Sequence, residues 1–328
     1  MFAVIYRRTF LYLTAALVLG SLLIIGVLGL KPGIDFAGGS LTEVAYEGEL
    51  PVKGELEAAL NELELGGLSV RLSTDEAGRP SYLIRTRDLS EPEREAVASM
   101  AVGLGEEGEV TRFTSIGPVI GQELRDKAVW AIFAVSLVIV LYIAFAFAGI
   151  GTPVSSWVYG GITIFILIHD VLIPTAMMSL LGHFRGAEID VLFVMALLAV
   201  LGYSVNDTIV VFDRVRENLK QFRTEKRTKR NEAGVVKEDV TYTLTKPFEE
   251  IVGLSVSQTI ARSINTSLTT MLALGALYFL GGSVTQTFTL VLMVGVLAGT
   301  YSSICIANPL LVTYAKWQAS KEGKTIQS

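Results

Sequence analysis

The sequence predicts an α-helical integral membrane protein with six transmembrane helices and one ferredoxin-like α+β domain between the first two helices. Of the 328 residues, 51% are hydrophobic and only 18% are charged, and the mean hydropathy is +0.52. That composition is too apolar for a soluble chain of this length. The apolar residues form blocks of about twenty or more, the length at which a helix crosses a bilayer. Charge is also unevenly divided, with 9 basic and 19 acidic residues in 31–126 but 10 basic and 5 acidic residues in 214–246.

Six apolar blocks are predicted to be the membrane spans: residues 9–30, 128–150, 154–181, 191–212, 259–280 and 284–315. The first block lacks the short apolar core and the small-residue cleavage site of a secretory signal, which favours an uncleaved helix. A tight turn at residues 151–153 joins the second and third spans.

The sixth span contains Gly295-x-x-x-Gly299, a spacing that allows two helices to pack closely. It also holds the single cysteine, Cys305, so no disulfide can form within the chain, and we interpret this residue as a small apolar filler.

Residues 31–126 are predicted to form a separate domain. Strand-like segments at 41–46, 68–73, 81–86 and 109–115 and helical patterns at 52–65 and 90–104 follow the ferredoxin-like order β-α-β-β-α-β. Ser90 is typical of a helix N-terminus, and Gly78 of a turn between two strands. The domain has no histidine or cysteine, which excludes a catalytic centre based on either. Its scattered carboxylates indicate a solvated acidic surface. Residues 116–127 connect the domain to the second span.

The basic residues predict the orientation of the chain. Six spans place both termini on one side, and that side also receives Arg7-Arg8, the loop 214–258 and Lys316, Lys321 and Lys324. The positive-inside rule puts this side in the cytoplasm. Three parts follow: a cytoplasmic N-terminus with the first span (1–30), an extracytoplasmic domain (31–126), and a five-span bundle with a cytoplasmic C-terminus (127–328). Within the loop, residues 224–245 are expected to be flexible, and residues 248–257 to form an amphipathic helix along the membrane surface.

Asp207, in the fourth span, is the first candidate functional residue. A charged side chain at the centre of a membrane helix costs roughly 2.5–3.5 kcal/mol on insertion scales, so such residues are usually functional. Asp207 lies about 9 Å from the inner end of its span at Asp213, and Arg262 lies at a similar depth near the start of the fifth span. A carboxylate alone in an apolar environment binds a proton, and a nearby guanidinium favours the ionised form. The pair predicts either a proton relay or a static ion pair that fixes helix packing.

His169 and Asp170, in the third span, form a second polar site. At about 1.5 Å per residue, Asp170 lies about 25 Å from the cytoplasmic end and about 15 Å from Asp207 along the membrane normal. That separation argues against an intramembrane aspartyl protease, because its two carboxylates must share a site. We interpret Asp170 as either a second proton station or an interhelical hydrogen-bond anchor, and His169 as a side chain that satisfies a buried partner.

Five ordered motifs, spread over nearly the whole chain, resemble one family. They are GIDFAGG (33–39) after the first span, FTSIGP (113–118) before the second, IHDV (168–171) in the third, GYSVNDT (202–208) with VFDRVREN (211–218) in the fourth, and SINTSLTT (263–270) in the fifth. Together they resemble the SecD/SecF family of bacterial protein-export membrane proteins, in the RND superfamily, and in particular its smaller, SecF-type members.

The resemblance implies an accessory translocase, rather than an enzyme, that uses the proton-motive force to promote late, extracytoplasmic steps of Sec-dependent protein export. It implies a twelve-helix unit with SecD in the bacterial inner membrane, cooperation with the SecYEG translocon and the SecA pathway, and contact between the outer domain and unfolded exported polypeptide. No cofactor, metal or nucleic acid is expected. In that family the proposed proton-path residues are the Asp of the Asn-Asp motif, here Asp207, and the Arg that opens the fifth span, here Arg262. We add Asp170, His169, Asn206 and Asn265 as secondary candidates.

The segment 224–245 departs from the family pattern, in which a short basic turn runs directly into the equivalent of residues 248–251. The core motifs are intact on both sides of it. Two other functions stay open at this point: an RND-type exporter of small molecules or lipids, and a non-conducting scaffold for the translocon. Such exporters usually carry two six-span halves and large outer domains in one chain, which disfavours the first alternative.

Overall fold

The predicted fold is confirmed by the computed structural model, which describes residues 2–75, 77–147, 154–232 and 235–321. The predicted turn at 151–153 and Lys324 lie outside these residues. The helices are α1 Phe2–Ile5, α2 Arg7–Leu28, α3 Ile34–Ala37, α4 Lys53–Asn61, α5 Glu91–Gly103, α6 Pro118–Ala146, α7 Ser156–Arg185, α8 Val191–Gln221, α9 Phe248–Leu280, α10 Ser283–Cys305 and α11 Ala307–Lys321. The strands are β1 Gly39–Ala45, β2 Ser69–Thr74, β3 Pro80–Thr86, β4 Glu109–Ile116, β5 Arg223–Glu232 and β6 Val235–Leu244.

Six segments of the described chain are long and apolar enough to cross a membrane. They are α2, α6, α7, α8, α9 and the consecutive helices α10 and α11, in agreement with the six predicted spans. α8 packs against α6, α7, α9 and α10 and therefore lies at the centre of the bundle. α2, α6 and α9 expose many apolar side chains on the outside, where lipid or another membrane protein can cover them.

The predicted close packing at Gly295 and Gly299 is confirmed. A Cβ atom at Gly295 would collide with the side chain of Val200 on α8, and one at Gly299 would lie 2.9 Å from the Cβ of Ser204. The two glycines therefore let the backbone of α10 lie directly against α8.

The sixth span is interrupted between α10 and α11, at Ile306. Pro309 has no N–H to donate to the preceding turn, so the helical ladder cannot continue unbroken. The side-chain Nδ2 of Asn308 donates to the carbonyl of Ser303 at 2.9 Å and satisfies part of the freed backbone.

Strands β1 to β4 form one antiparallel sheet in the order β2-β3-β1-β4, which confirms the ferredoxin-like arrangement. Helices α4 and α5 cover one face of the sheet. The core between these layers contains Val44, Tyr46, Leu56, Leu60 and Ile84. The predicted turn between β2 and β3 is also confirmed, because Gly78 has a φ of +84°, a conformation that glycine adopts without strain.

The face of the sheet opposite α4 and α5 is turned toward the membrane bundle. The strand register places Arg112, Glu43, Leu83 and Arg71 in one row across this face. Arg71 donates to the carbonyl of Gly186, at the end of α7. The domain thus rests on the bundle through its open face.

The segment 116–127, expected to be a connector, belongs mostly to α6. This helix begins at Pro118 directly after β4, so the second span and the domain are continuous. A Cβ at Gly38 would lie 2.8 Å from the Cα of Pro118, and a Cβ at Gly121 would lie 2.9 Å from the nitrogen of Gly38. Gly38 also has a φ of +76°. These glycines let the chain that follows the first span lie against the start of α6.

The prediction of a flexible segment at 224–245 was wrong. Residues 223–232 and 235–244 form the antiparallel hairpin β5–β6. High charge suggested disorder, but the segment also contains threonine, valine and tyrosine, which favour extended backbone. In this register the backbone of Lys229 pairs with that of Glu238.

The prediction of a separate surface helix at 248–257 was also wrong, because these residues are the first three turns of α9. No glycine or proline breaks the helix where the apolar span begins. Ile251, Val252 and Val256 are buried within the protein, so the apolar face covers the bundle rather than the membrane surface.

Both terminal segments meet the start of α9 at one end of the bundle. Arg7 donates to Oε1 of Glu249 at 2.5 Å, and Lys316 forms an ion pair with the same carboxylate. The ferredoxin-like domain lies at the other end. The structure therefore places the described parts of both terminal segments and the β5–β6 hairpin at one end of the bundle and the domain at the other end.

Helix α5 begins with a capping box, as Ser90 indicated. The N–H and the hydroxyl of Ser90 both donate to Oε2 of Glu93, at 2.8 and 2.7 Å. Hydrogen bonds from Arg87 and from Ser90 lower the pKa of Glu93 to about 2. The ionised carboxylate therefore contributes to the start of this helix.

The glycine contact between α8 and α10 can be tested with Gly295→Ala. Overpacking of this kind costs about 1–3 kcal/mol, so the purified protein should unfold at a lower temperature in detergent. Gly275→Ala, in α9, is the matched control because no atom lies within 4 Å of the added Cβ. Equal stability of the two variants would contradict the close approach.

The capping carboxylate predicts a pH dependence of stability. Because the pKa of Glu93 is lowered from 4.5 to about 2, its stabilisation is present above pH 4.5 and is lost as the pH falls through about 2. The stability difference between wild type and Glu93→Gln should therefore shrink over that range, measured by thermal unfolding. Glu95→Gln, an exposed change in the same helix, should show no such trend.

Candidate functional site

Asp170 is fully buried at the centre of the bundle and uses both carboxylate oxygens. Oδ1 lies 2.7 Å from Nδ1 of His169. Oδ2 accepts hydrogen bonds from the hydroxyl of Ser302 on α10, at 2.8 Å, and from that of Ser204 on α8. One carboxylate thus joins three spans, α7, α8 and α10. This geometry corresponds to the interpretation of Asp170 as an interhelical hydrogen-bond anchor.

The polar cluster continues from His169 to the first span. The His169 ring lies 5.9 Å from the ring of Tyr301, whose hydroxyl is 3.1 Å from that of Thr14 on α2. Nε2 of His169 is buried and has no hydrogen-bond partner among the described residues. The geometry agrees with a histidine that satisfies a buried carboxylate.

Asp207 lies one turn along α8 from Ser204 and is 5% exposed. Ser263 and Arg262, on α9, lie in its vicinity. Even so, Oδ2 of Asp207 and the hydroxyl of Ser263 are both buried without a hydrogen-bond partner in the described part of the chain. The two intramembrane carboxylates therefore differ: Asp170 is saturated with donors and Asp207 is not.

The predicted separation of about 15 Å between Asp170 and Asp207 along the membrane normal was wrong. α8 does not end at Asp213 but continues to Gln221, which puts Asp207 fourteen residues, or about 21 Å, from its end. Asp170 lies equally far from the start of α7, and Ser204 bonds to it directly. The case against an aspartyl protease now rests on hydrogen bonding, because the oxygens of Asp170 are held by His169 and the two serines rather than by a second carboxylate.

Arg262 shares the level of Asp207, as predicted, since it lies fourteen residues into α9. The predicted ion pair does not form: within the described residues, no hydrogen bond or ion pair involves the Arg262 side chain, and the residue is exposed on the bundle surface. A fixed ion pair is therefore not what holds α8 and α9 together. Asn218 performs that task near the helix ends by donating to Ser255 at 2.8 Å and to Gln258 at 3.0 Å.

A polar face is exposed on α8 and α9 within the spans. Asn206, Arg262, Asn265 and Thr269 are all exposed on it. Residues 262, 265 and 269 have the spacing of one helix face, and the many polar residues of this span already predict that it faces protein or water rather than lipid. Polar groups of this kind do not face lipid tails, so this face requires a polar covering.

Three serines at the site were missed by the sequence reasoning. Ser204 and Ser302 bind Asp170, and Ser263 faces Asp207. The sequence spacing could have indicated two of them. Ser204 precedes Asp207 by one turn of α8, and Ser302 follows Gly299 by one turn on the helix that packs against α8. Serine is common in membrane helices, so this spacing alone did not single them out.

The sequence matches two family descriptions. Residues 96–246 and 233–317 match "Protein export membrane protein SecD/SecF, C-terminal", and residues 23–49 match the "SecD/SecF GG Motif". The chain belongs to the SecD/SecF family. It is a SecF-like, multi-pass membrane protein, and a transport subunit rather than an enzyme.

Similar proteins agree over nearly the full length. The protein translocase subunit SecF of Thermobaculum terrenum is 35% identical over 94% of this chain and 92% of its own length, and that of Anaerolinea thermophila has the same identity and coverage. The crystal structure of SecDF from Thermus thermophilus, described as a translocon-associated membrane protein, superposes with a TM-score of 0.77 at 31% identity. It covers 95% of this chain, but this chain spans only 38% of that SecDF.

The anchor role of Asp170 is tested by Asp170→Ala. Losing one partner of a buried charged network typically costs about 3–5 kcal/mol, so thermal unfolding in detergent should occur at a clearly lower temperature. Asp170→Asn keeps the shape of the side chain and one acceptor oxygen, so its unfolding temperature should fall less than that of Asp170→Ala. Asp213→Ala, near the C-terminal end of the neighbouring helix α8, where the side chain is half exposed, should be close to wild type. Wild-type stability of Asp170→Ala would contradict the anchor role.

Proposed function

We propose that this chain couples proton movement through Asp207 to protein export across the bacterial inner membrane. The observation that carries the proposal is the unequal satisfaction of the two intramembrane carboxylates. Asp170 has three side-chain partners, whereas buried Asp207 Oδ2 has none among the described residues. A buried carboxylate oxygen without a donor is costly when the group is ionised, and binding a proton lowers that cost. Asp207 is therefore the residue suited to load a proton.

Arg262 is suited to make Asp207 release the proton. It lies at the level of Asp207 but on the exposed side of α9, without an ion pair. When the guanidinium approaches the carboxylate, it favours the ionised form, and when it withdraws, it favours protonation. A small shift or rotation of α9 against α8 would alternate these states. Asn206 and Asn265 are also exposed within the spans, and we infer that they line the route between Asp207 and the outside of the bundle.

The polar face on α8 and α9 supports SecD as the direct partner. A face with Arg262, Asn206 and Asn265 inside the membrane is covered best by a second protein with complementary polar groups. The Thermus thermophilus SecDF chain contains a region similar to this chain and is much longer. We infer that SecD supplies the other half of a twelve-helix unit, and that this unit works with the SecYEG translocon and the SecA pathway.

The orientation of the protein in the membrane follows from the distribution of its basic residues. Arg7, Lys316 and the basic residues of 214–246 lie at the end of the bundle opposite the domain, and the positive-inside rule assigns that end to the cytoplasm. The ferredoxin-like domain then faces the extracytoplasmic side, where it contacts exported polypeptide. One proton crossing 100 mV releases about 2.3 kcal/mol, which is enough to bias a modest movement of the domain.

The test is proton flux and export in vesicles that contain the protein with SecD and the translocon. Asp207→Asn and Arg262→Met should abolish the proton-dependent part of both, while the complex still assembles. Asp213→Asn is the matched control, since that carboxylate lies on the same helix but is exposed and 3.6 Å from Arg216. It should keep both activities near wild type.

Full proton-dependent export by Asp207→Asn or Arg262→Met would contradict the relay. Equal flux in wild type and Asp207→Asn, with export intact, would favour the non-conducting scaffold instead.

A further inference from the structure

One carboxylate, Glu188, joins the sheet of the domain to the loop between α7 and α8. This residue lies in the five-residue loop 186–190 between α7 and α8, and its side chain is 17% exposed. Oε1 of Glu188 accepts from Arg85 of β3 at 2.8 Å and also from Arg71 of β2. Arg71 donates to the carbonyl of Gly186 as well, and Arg85 to that of Pro32 at 3.0 Å. Two neighbouring strands of the sheet therefore share one acceptor on the bundle.

Backbone pairing holds the same loop to the chain that leaves the first span. Gly33 donates to the carbonyl of Ile189 at 2.8 Å, and Ile189 donates to that of Lys31 at 2.8 Å. Asp35, in the GIDFAGG motif, accepts from the backbone N–H of Val191 at 2.9 Å, at the N-terminus of α8. The loop, the motif and the sheet are thus bonded into one unit.

The loop connects the two helices that carry the intramembrane carboxylates. α7 brings Asp170 and α8 brings Asp207, and a movement of either helix along its axis or about it displaces the loop between them. Asp207 lies sixteen residues from Val191, or about 24 Å along a continuous helix. A continuous helix is rigid enough to carry a displacement over that length, so the loop is where movement at Asp207 first reaches the domain.

We propose that Glu188 is the coupling residue of the protein: it clamps the sheet to the α7–α8 loop, so that movements made in the membrane are passed to the domain. The inference rests on the function proposed above. Glu188 is a positioning residue, outside the proton path. Without its carboxylate, Arg71 and Arg85 lose their shared acceptor and repel each other, so the contact between the sheet and the loop is weakened to the bond from Arg71 to the Gly186 carbonyl.

Glu188→Gln should therefore uncouple the protein. In vesicles, proton flux should stay near wild type, whereas proton-dependent export should fall at least about fivefold, the lower end of typical coupling between linked sites. A role in folding alone would lower both, and a role in the proton path would abolish flux. Glu47→Gln is the matched control, because it removes a carboxylate that binds Arg79 elsewhere in the domain, at 3.2 Å. Both of its activities should remain.

A double variant removes the same contact from the side of the sheet. Arg71→Gln with Arg85→Gln takes away both guanidinium groups and leaves Glu188 in place. It should reproduce Glu188→Gln, with proton flux near wild type and proton-dependent export lowered at least about fivefold.

The outcomes separate the two proposals. Wild-type export by Glu188→Gln, wild-type export by Arg71→Gln with Arg85→Gln, or parallel loss of flux and export would each overturn the coupling role while leaving the relay intact. Equal flux in wild type and Asp207→Asn would overturn the relay, and the coupling role with it. Retained flux with lowered export in both the Glu188 and the arginine variants is the result expected.

Discussion

A carboxylate inside a bilayer must find hydrogen-bond donors or a proton, and this requirement organises the bundle. Asp170 finds its donors on three helices, and its hydrogen bonds to Ser204 and Ser302 exist because α10 lies directly on α8. That approach depends in turn on Gly295 and Gly299. The same packing brings Asp207 to the level of Asp170 but leaves its Oδ2 without a donor. The fold thus supplies Asp170 with side-chain donors, whereas Oδ2 of Asp207 has no such donor among the described residues and is available to bind a proton.

The domain depends on a second set of close contacts at the opposite end of the bundle from the termini. Gly38 and Gly121 let the segment after the first span lie against α6, and Glu188 fixes the sheet to the loop between α7 and α8. The domain is therefore bonded to spans on both sides of it in the sequence. In such an arrangement, a displacement of the helices in the membrane can reach the domain through these close contacts rather than through a flexible linker.

Much of this fold follows from sequence patterns alone. Long apolar blocks predicted all six spans, and alternating patterns predicted the βαββαβ domain because both signals are strong and local. The depth of Asp207 was misjudged because the apolar stretch ends at Phe212 while the helix continues, through charged residues, to Gln221. The ion pair with Arg262 was expected from depth alone, and depth does not specify the face on which a side chain lies. The β5–β6 hairpin was missed because its charge resembles that of a disordered loop.

The central claim is that Asp207, and not Asp170, exchanges a proton. Infrared difference spectroscopy of the purified complex measures this directly, because a protonated carboxyl group has its own C=O band. As the pH is cycled, that band should appear and disappear in wild type and in Asp213→Asn, and should be lost in Asp207→Asn. A band that titrates unchanged in Asp207→Asn would contradict the account.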